Sequence, residues 1–350
     1  MRIRKFSVAA ILLWVALALT SVLASPDIAI INPSNGKSIY LPNGSLRQVV
    51  VRTDKATASF TTLTKENAAF VLRTYDAQAK PLGTATMAAF TDGYAGGNDY
   101  ALASNSRRIV YKKKSGTHMH LLDIPTNSET VLWENAISKY GRDIKGLYWL
   151  ADDRVLALLG FYPETERNEI TLIDVSSGNR KILYRPVDYG HSNALSPDRN
   201  LLAFQEATKK LSIYSTVKVL DLRSGEVIAN FGSGTQLMGP LQWSPDGSEL
   251  AYVDGNEIKL WRRENQTTRL LKLLDEGFLV YSLVFTRDMV GYVGGFTGKK
   301  EGLFDNLFGY KKLILIDARN GNEVRKVSEQ FNGRLYYLDA VDRIVAEIGI

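Results

Sequence analysis

The chain has no cysteine, 3 histidines and 10 prolines among its 350 residues. The missing cysteine excludes disulfides, thiol nucleophiles, thiolate metal sites and a lipidated N-terminal cysteine. Three histidines leave little material for a zinc centre or a proton relay. Charge of neither sign is concentrated: 43 Lys and Arg stand against 37 Asp and Glu, for a net charge of +6. No dense basic block with interleaved aromatics points to nucleic acid, and Lys112-Lys113-Lys114 reads as a solvated loop. Beyond the first 24 residues no apolar run is long enough to span a bilayer. Chemical signatures are missing too: there is no His-Glu-x-x-His, no Gly-x-Ser-x-Gly elbow and no EF-hand loop. Gly36-Lys37-Ser38 ends like a P-loop, but Ile31 stands where the loop's first glycine is required.

What the chain does have begins with an address. Arg2, Arg4 and Lys5 precede the apolar run Val8 to Leu19, and Val22-Leu23-Ala24 supplies the small residues a signal peptidase reads. This pattern predicts cleavage after Ala24 and export to the periplasm or the extracellular space. An uncleaved membrane anchor and a buried helix are the two alternatives. Without residues 1–24 the net charge falls to +3, which argues for no acidic partner.

The remaining chain, rich in glycine (28), tyrosine (17) and phenylalanine (13), repeats itself. Alternating apolar residues lead to an Asp or Asn and a turn ending in Gly: Ile28 to Gly36, Ile170 to Gly178, Val217 to Gly225 and Leu313 to Gly321. Weaker copies run over Val71 to Lys80, Met119 to Glu129 and Ile258 to Thr267. The anchor positions Asn32, Asp76, Asp123, Asp174, Asp221, Arg262 and Asp317 lie 41 to 55 residues apart. Period-two alternation makes strands, the acid bonds its own backbone, and glycine supplies the positive φ that reverses the chain.

A second hairpin precedes each strong copy. Trp243-Ser244-Pro245-Asp246-Gly247 leads into Leu250 to Val253, and Leu195-Ser196-Pro197-Asp198 leads into Leu201 to Phe204. Two hairpins per period of about 40–50 residues predict an all-β single β-propeller of four-stranded blades. The expected blades are 46–90, 98–133, 143–185, 191–231, 240–273 and 281–328. Residues 28–41 hold only a blade's second hairpin and 335–350 only a first. A seventh blade shared between the N- and C-termini therefore closes the ring. Six blades result instead if the irregular stretch 46–90 is a separate small β-domain.

The Trp-Ser-Pro-Asp-Gly run followed by Leu-Ala-Tyr resembles the repeat of TolB-type, WD-repeat-like propellers of bacterial envelopes, over residues 98–328. That resemblance implies the propeller fold. It also implies one of three roles: a protein–protein platform, a non-catalytic domain beside a peptidase, or occasionally a lyase. The motif builds a blade rather than a site.

Candidate site residues follow from the expected topology. Inter-blade linkers and the loops between second and third strands carry Tyr94, Tyr140, Arg142, Tyr162, Tyr189, His191, Phe331 and Arg334. Aromatics and Arg are the residue types enriched at interface hot spots, and each aromatic has the alternative of covering a neighbouring blade's edge. In the insertion Gly294 to Lys312, the residues Leu303, Phe304, Leu307 and Phe308 share one face of a short helix between lysine pairs. That face docks on a partner, skims a membrane surface or caps its own propeller. His118 and His120 point to the same side of a strand, with His191 a conceivable third metal ligand. The repeat alignment, however, places the pair on a third strand and His191 on an inner one.

The leading expectation is an exported, monomeric, non-catalytic scaffold that binds another envelope or extracellular protein, with no nucleic acid, metal or cofactor. The alternatives are a small-ligand or glycan site in the channel, or a lyase or hydrolase at the channel mouth. The enzyme reading requires His191, Tyr189, Arg142 and Arg334 to converge.

Overall fold

The structure, a computed structural model, describes residues 28–348 apart from 42–47, 55–57, 67–68, 88–99, 113–117, 135–143, 151–152, 163–166, 210–211, 213, 235–237, 297–311, 328–330 and 332–333. The leader-like segment 1–24 lies outside the described residues. Seven antiparallel four-stranded sheets make up the fold.

The described residues start with β1 (Ile28–Ile31) and β2 (Ser38–Tyr40), and six blades follow in order. Blade 1 is β3 (Gln48–Asp54), β4 (Ser59–Glu66), β5 (Ala69–Asp76) and β6 (Pro81–Met87). Blade 2 is β7 (Tyr100–Leu102), β8 (Arg108–Lys112), β9 (Met119–Asp123) and β10 (Ser128–Trp133). Blade 3 is β11 (Ile144–Trp149), β12 (Val155–Tyr162), β13 (Arg167–Asp174) and β14 (Arg180–Tyr184). Blade 4 is β15 (Tyr189–Leu195), β16 (Leu201–Ala207), β17 (Ser215–Asp221) and β18 (Val227–Phe231). Blade 5 is β19 (Met238–Trp243), β20 (Glu249–Asp254), β21 (Glu257–Arg262) and β22 (Thr267–Leu273). Blade 6 is β23 (Phe278–Phe285), β24 (Met289–Phe296), β25 (Lys312–Asp317) and β26 (Glu323–Val327).

The chain ends with β27 (Leu335–Leu338) and β28 (Arg343–Glu347), and the seventh sheet has the order β27, β28, β1, β2. Ile28 to Ile31 pair in register with Glu347 to Ile344, so the two chain ends share one ladder. The first strands of neighbouring blades touch in an unbroken circuit, β3 to β7, β11, β15, β19, β23, β27 and back to β3. The stretch 46–90 is a regular blade, and the count is seven.

Packing explains how a chain without disulfides holds this shape. Among the described residues the buried apolar side chains form seven clusters, and each spans two neighbouring blades. One joins Phe60 and Tyr75 of blade 1 to Leu338 and Val345 of the closing blade. The hydrophobic stabilisation is thus distributed around the ring rather than held in one centre.

The repeat motif explains the turns. Asp174 accepts the N–H groups of Ser176 and Ser177, each at 2.9 Å, before Gly178 at φ +70°. The Ser176 hydroxyl and these amides hold its carboxyl down at about 2. In the Ser-Pro-Asp turns, the Ser244 hydroxyl donates to Asp246 and accepts the Glu249 amide at 2.9 Å. Tryptophans tie blades together: Trp243 Nε1 donates to the Ala194 carbonyl at 3.0 Å and Trp149 Nε1 to Ala101 at 2.8 Å.

Three blades begin before their expected starts. β15 begins at Tyr189 rather than His191, β19 at Met238 rather than 240, and β23 at Phe278 rather than 281. The register shifts in each, between Tyr189 and Asn193, between Met238 and Leu241 and between Val280 and Ser282. The insertion after β24 is also shorter than expected, because Gly294–Phe296 extend that strand and Lys312 opens β25.

Candidate functional site

Antiparallel alternation sorts the connections onto two faces. The Asp-Gly and Ser-Pro-Asp turns lie on one face; the inter-blade linkers and the loops between second and third strands lie on the other. The first strands surround a central channel, where a cavity of about 750 Å³ opens.

The wall of this cavity is stitched between blades by side chains. Gln205 of β16 is wholly buried: its Oε1 accepts the Ser192 amide at 3.1 Å and its Nε2 donates to the Gly239 carbonyl of blade 5. Ser192 Oγ then accepts the Leu241 amide at 3.1 Å. Across the next seam, Asn193 Nδ2 donates to the Lys145 carbonyl at 2.8 Å and Asn193 Oδ1 accepts the Tyr148 hydroxyl. A Cβ at Gly146 would lie 2.5 Å from Asn193 Oδ1, so a larger residue there would displace that amide.

The lumen's electrostatics are simple. Arg334, just before β27, is the one cation among the described lining residues, and none of these residues is acidic. Tyr281 is 48% exposed into the lumen, which is unusual for a tyrosine on an inner strand. Burial pushes the Tyr148 hydroxyl up to about 12 against the opposing charge of Arg334, which stands across the channel. Tyr336 is raised well above its ordinary value by burial and by the neighbouring carboxylate of Glu347.

The expected site residues meet different fates. Tyr94, Tyr140, Arg142, Leu303, Phe304, Leu307 and Phe308 lie outside the described residues. Tyr162 ends β12 opposite Arg167, and His191 sits on inner strand β15. Arg334 lines the channel cavity. Phe331 does not belong on an exposed face: it is fully buried among Val284, Val293 and Leu335, where it fills the seam between blade 6 and the closing blade. Tyr189 is half-buried and its hydroxyl donates to the Glu169 carbonyl of blade 3. It does not line the cavity with Arg334, so those two are not brought together.

The histidines are similarly separated. His120 Nδ1 is 2.9 Å from Glu129 Oε1, and its ring stacks on Tyr111 at 5.5 Å. His118 lies beside it, 6.3 Å between ring centroids. Both sit at the third strand of blade 2, whereas His191 is on the first strand of blade 4. Among the described residues no three His, Asp or Glu converge on a cation position.

Several residues at the site escaped the sequence reading. Tyr148, Tyr281, Ser192 and Gln242 sit inside first strands, where inward-facing positions were the available signal. Val187 and Tyr214 on the linker face are 54% and 44% exposed. They flank the end of β16, where Ala207 N donates to Asp188 O at 3.0 Å and Thr208 N to Tyr214 O at 3.0 Å.

A groove of about 480 Å³ on the turn face contains Arg262, Arg269, Arg287 and Arg319. These four are committed to Glu249, the Ala318 and Arg319 carbonyls, Asp339 and Asp317 respectively. That groove is an interblade clamp.

No family model matches the chain. Prolyl endopeptidase FAP of Mus musculus is 31% identical over 160 residues, covering 44% of this chain and 19% of that protein. Prolyl endopeptidase FAP of Homo sapiens is 36% identical over 106 residues, covering 27% of this chain and 13% of that protein. The chain thus spans less than a fifth of the length of these curated relatives. Among solved structures, a chain of a nidogen/laminin complex superposes with a TM-score of 0.47 at 10% identity, over 77% of this chain and 94% of that one. Likeness at that level says nothing about a partner.

Proposed function

We propose that this propeller is an exported, non-catalytic scaffold of the TolB type that binds another envelope or extracellular protein on its linker face. The observation that carries the reading is the pair Val187 and Tyr214, exposed apolar side chains in a fixed frame. Glu206 holds the Val187 backbone: its carboxylate accepts the Val187 amide at 2.8 Å and the Tyr184 hydroxyl at 2.9 Å, and pairs with Lys218, while the Tyr214 carbonyl accepts the Thr208 amide. Exposed aromatic and aliphatic groups on the linker face suit hot-spot contact.

The non-catalytic part of the reading draws support from Tyr189, whose hydroxyl is engaged by the Glu169 carbonyl instead of joining Arg334. The stretch similar to prolyl endopeptidase FAP is under a fifth of that protein, so peptidase activity is not carried over. Export rests on the residue pattern of 1–24, and membrane contact through 294–312 on the apolar face at Leu303, Phe304, Leu307 and Phe308.

The test is crosslinking capture by the full chain in its native envelope fraction, beside a sample with 297–311 shortened, together with mass analysis of the mature N-terminus. A form starting at Ser25 that captures a reproducible partner supports the proposal. An unprocessed cytosolic chain, or no specific partner in either sample, overturns it.

A further inference from the structure

The linker-face end of the channel carries the same irregularity in five blades. The ladder between first and second strands shifts register between Val50 and Arg52, Ile144 and Gly146, Tyr189 and Asn193, Met238 and Leu241, and Val280 and Ser282. Each shift begins in the first half of its inner strand, the half nearer the inter-blade linkers. Such bulges are built features, and their common effect is to re-aim a side chain.

Blade 6 shows that effect. Tyr281 is the residue left over between Val280 and Ser282, and it stands 48% exposed in the lumen while both neighbours are buried. Pro240, within the shift of blade 5, lines the same cavity and has no N–H to return to the ladder.

The charges of the lumen are already answered. Tyr336 hydrogen-bonds the Arg334 guanidinium, and the Glu347 carboxylate faces it. An anion would have to compete with that carboxylate. A cation would meet Arg334 with no acid among the described lining residues. Several polar side chains are spent as well: Tyr148 on Asn193, Ser192 on the Leu241 amide, and Asn193 on the Lys145 carbonyl. What the wall still offers is ring and aliphatic surface, from Tyr281, Pro240 and the half-buried Leu279.

The two lining residues classed as exposed, Tyr281 and Arg334, stand on adjoining blades, at β23 and just before β27. A guanidinium whose charge is compensated still stacks on an aromatic face, and a phenol ring packs against another ring offset or edge-on. A cavity of about 750 Å³ falls within the ordinary range for small-molecule sites.

We propose that the channel mouth binds a small, uncharged, planar aromatic ligand through ring contact with Tyr281 and Arg334, rather than through charge or hydroxyl recognition. This site is separate from the Val187–Tyr214 surface, so it stands or falls independently of the protein-binding reading.

The test is isothermal titration of the full chain with indole. Indole-3-acetate and tryptamine supply anionic and cationic forms of the same ring, and cyclohexanol is an uncharged ligand without one. Tyr281→Phe and Tyr281→Ala are the variants. The expected result is saturable one-site binding of indole, at least fivefold weaker binding of both charged forms, and none of cyclohexanol. Tyr281→Phe, which keeps the ring, is expected to bind within twofold of the unchanged protein. Tyr281→Ala is expected to bind at least tenfold more weakly at an unchanged melting temperature. The proposal is overturned if indole does not bind, if a charged form or cyclohexanol binds as well, or if Tyr281→Ala binds unchanged. An equal loss in Tyr281→Phe and Tyr281→Ala would also overturn it, since the hydroxyl would then be the recognised group. Partner capture by Tyr281→Ala is expected to be intact, which separates failure of this site from failure of the scaffold reading.

Discussion

The Val50 amide donates to Glu347 Oε1 at 2.9 Å, joining residues 297 positions apart in the chain. The same carboxylate accepts the Tyr336 hydroxyl, and the Arg334 amide lies 3.4 Å from its other oxygen. Glu347 thus fastens the closing blade to blade 1, beside the β1–β28 ladder and the apolar cluster of that seam. Replacing it by Ala strands a buried amide and removes charge-assisted hydrogen bonds, at a cost of about 1.5–3 kcal/mol. Urea unfolding of Glu347→Ala is expected to show that loss. An unchanged midpoint would mean that apolar packing alone seals the ring.

Two glycines with opposite surroundings give a paired prediction. Gly321 ends the Asp317 turn at φ +73°, and a Cβ there would sit 1.7 Å from the Leu271 carbonyl oxygen of blade 5. Gly83 in β6 has nothing within 4 Å of its would-be Cβ. Gly321→Ala is expected to destabilise by about 1–3 kcal/mol through strain at positive φ and a displaced blade. Gly83→Ala is expected to be neutral or to gain about 0.5–1 kcal/mol. Equal melting temperatures for the two variants would contradict the interblade contact at Gly321.

Alkaline pH probes the buried tyrosines. Burial raises Tyr148 and Tyr292 from 10.0 to about 12, so the folded state keeps both neutral where the unfolded chain ionises. Stability is therefore complete below about pH 10 and is lost as pH rises from there towards about 12. Urea midpoints measured across this window should fall, and fall less steeply in Tyr148→Phe. A flat profile, or an equally steep fall in Tyr148→Phe, would contradict it.

Much of the fold was legible because each hairpin is decided locally. Asp221 accepts the Arg223 and Ser224 amides at 2.8 and 3.0 Å and Gly225 takes φ +80°, so a short string of residues carries the whole turn. Ring closure was legible from the half-blade at each end. The strand starts at Tyr189 and Phe278 were not, since bulges interrupt the period that marks a strand. Phe331 was misplaced for a related reason: a linker position says nothing about which seam its ring enters. The channel groups were hidden by the ring itself, because Tyr148 and Arg334 are neighbours only after seven blades have closed.

Site-specific photocrosslinking tests whether the linker face is the contact surface. A photoreactive residue replaces Val187 or Tyr214 on that face, or Leu82 or Val324 on the outer strands, all of which are exposed to similar degrees. The expected result is one protein adduct, of the same mass, from positions 187 and 214 in the native envelope fraction, with none from 82 and 324. Adducts only from the outer strands, or none from any position, would contradict it.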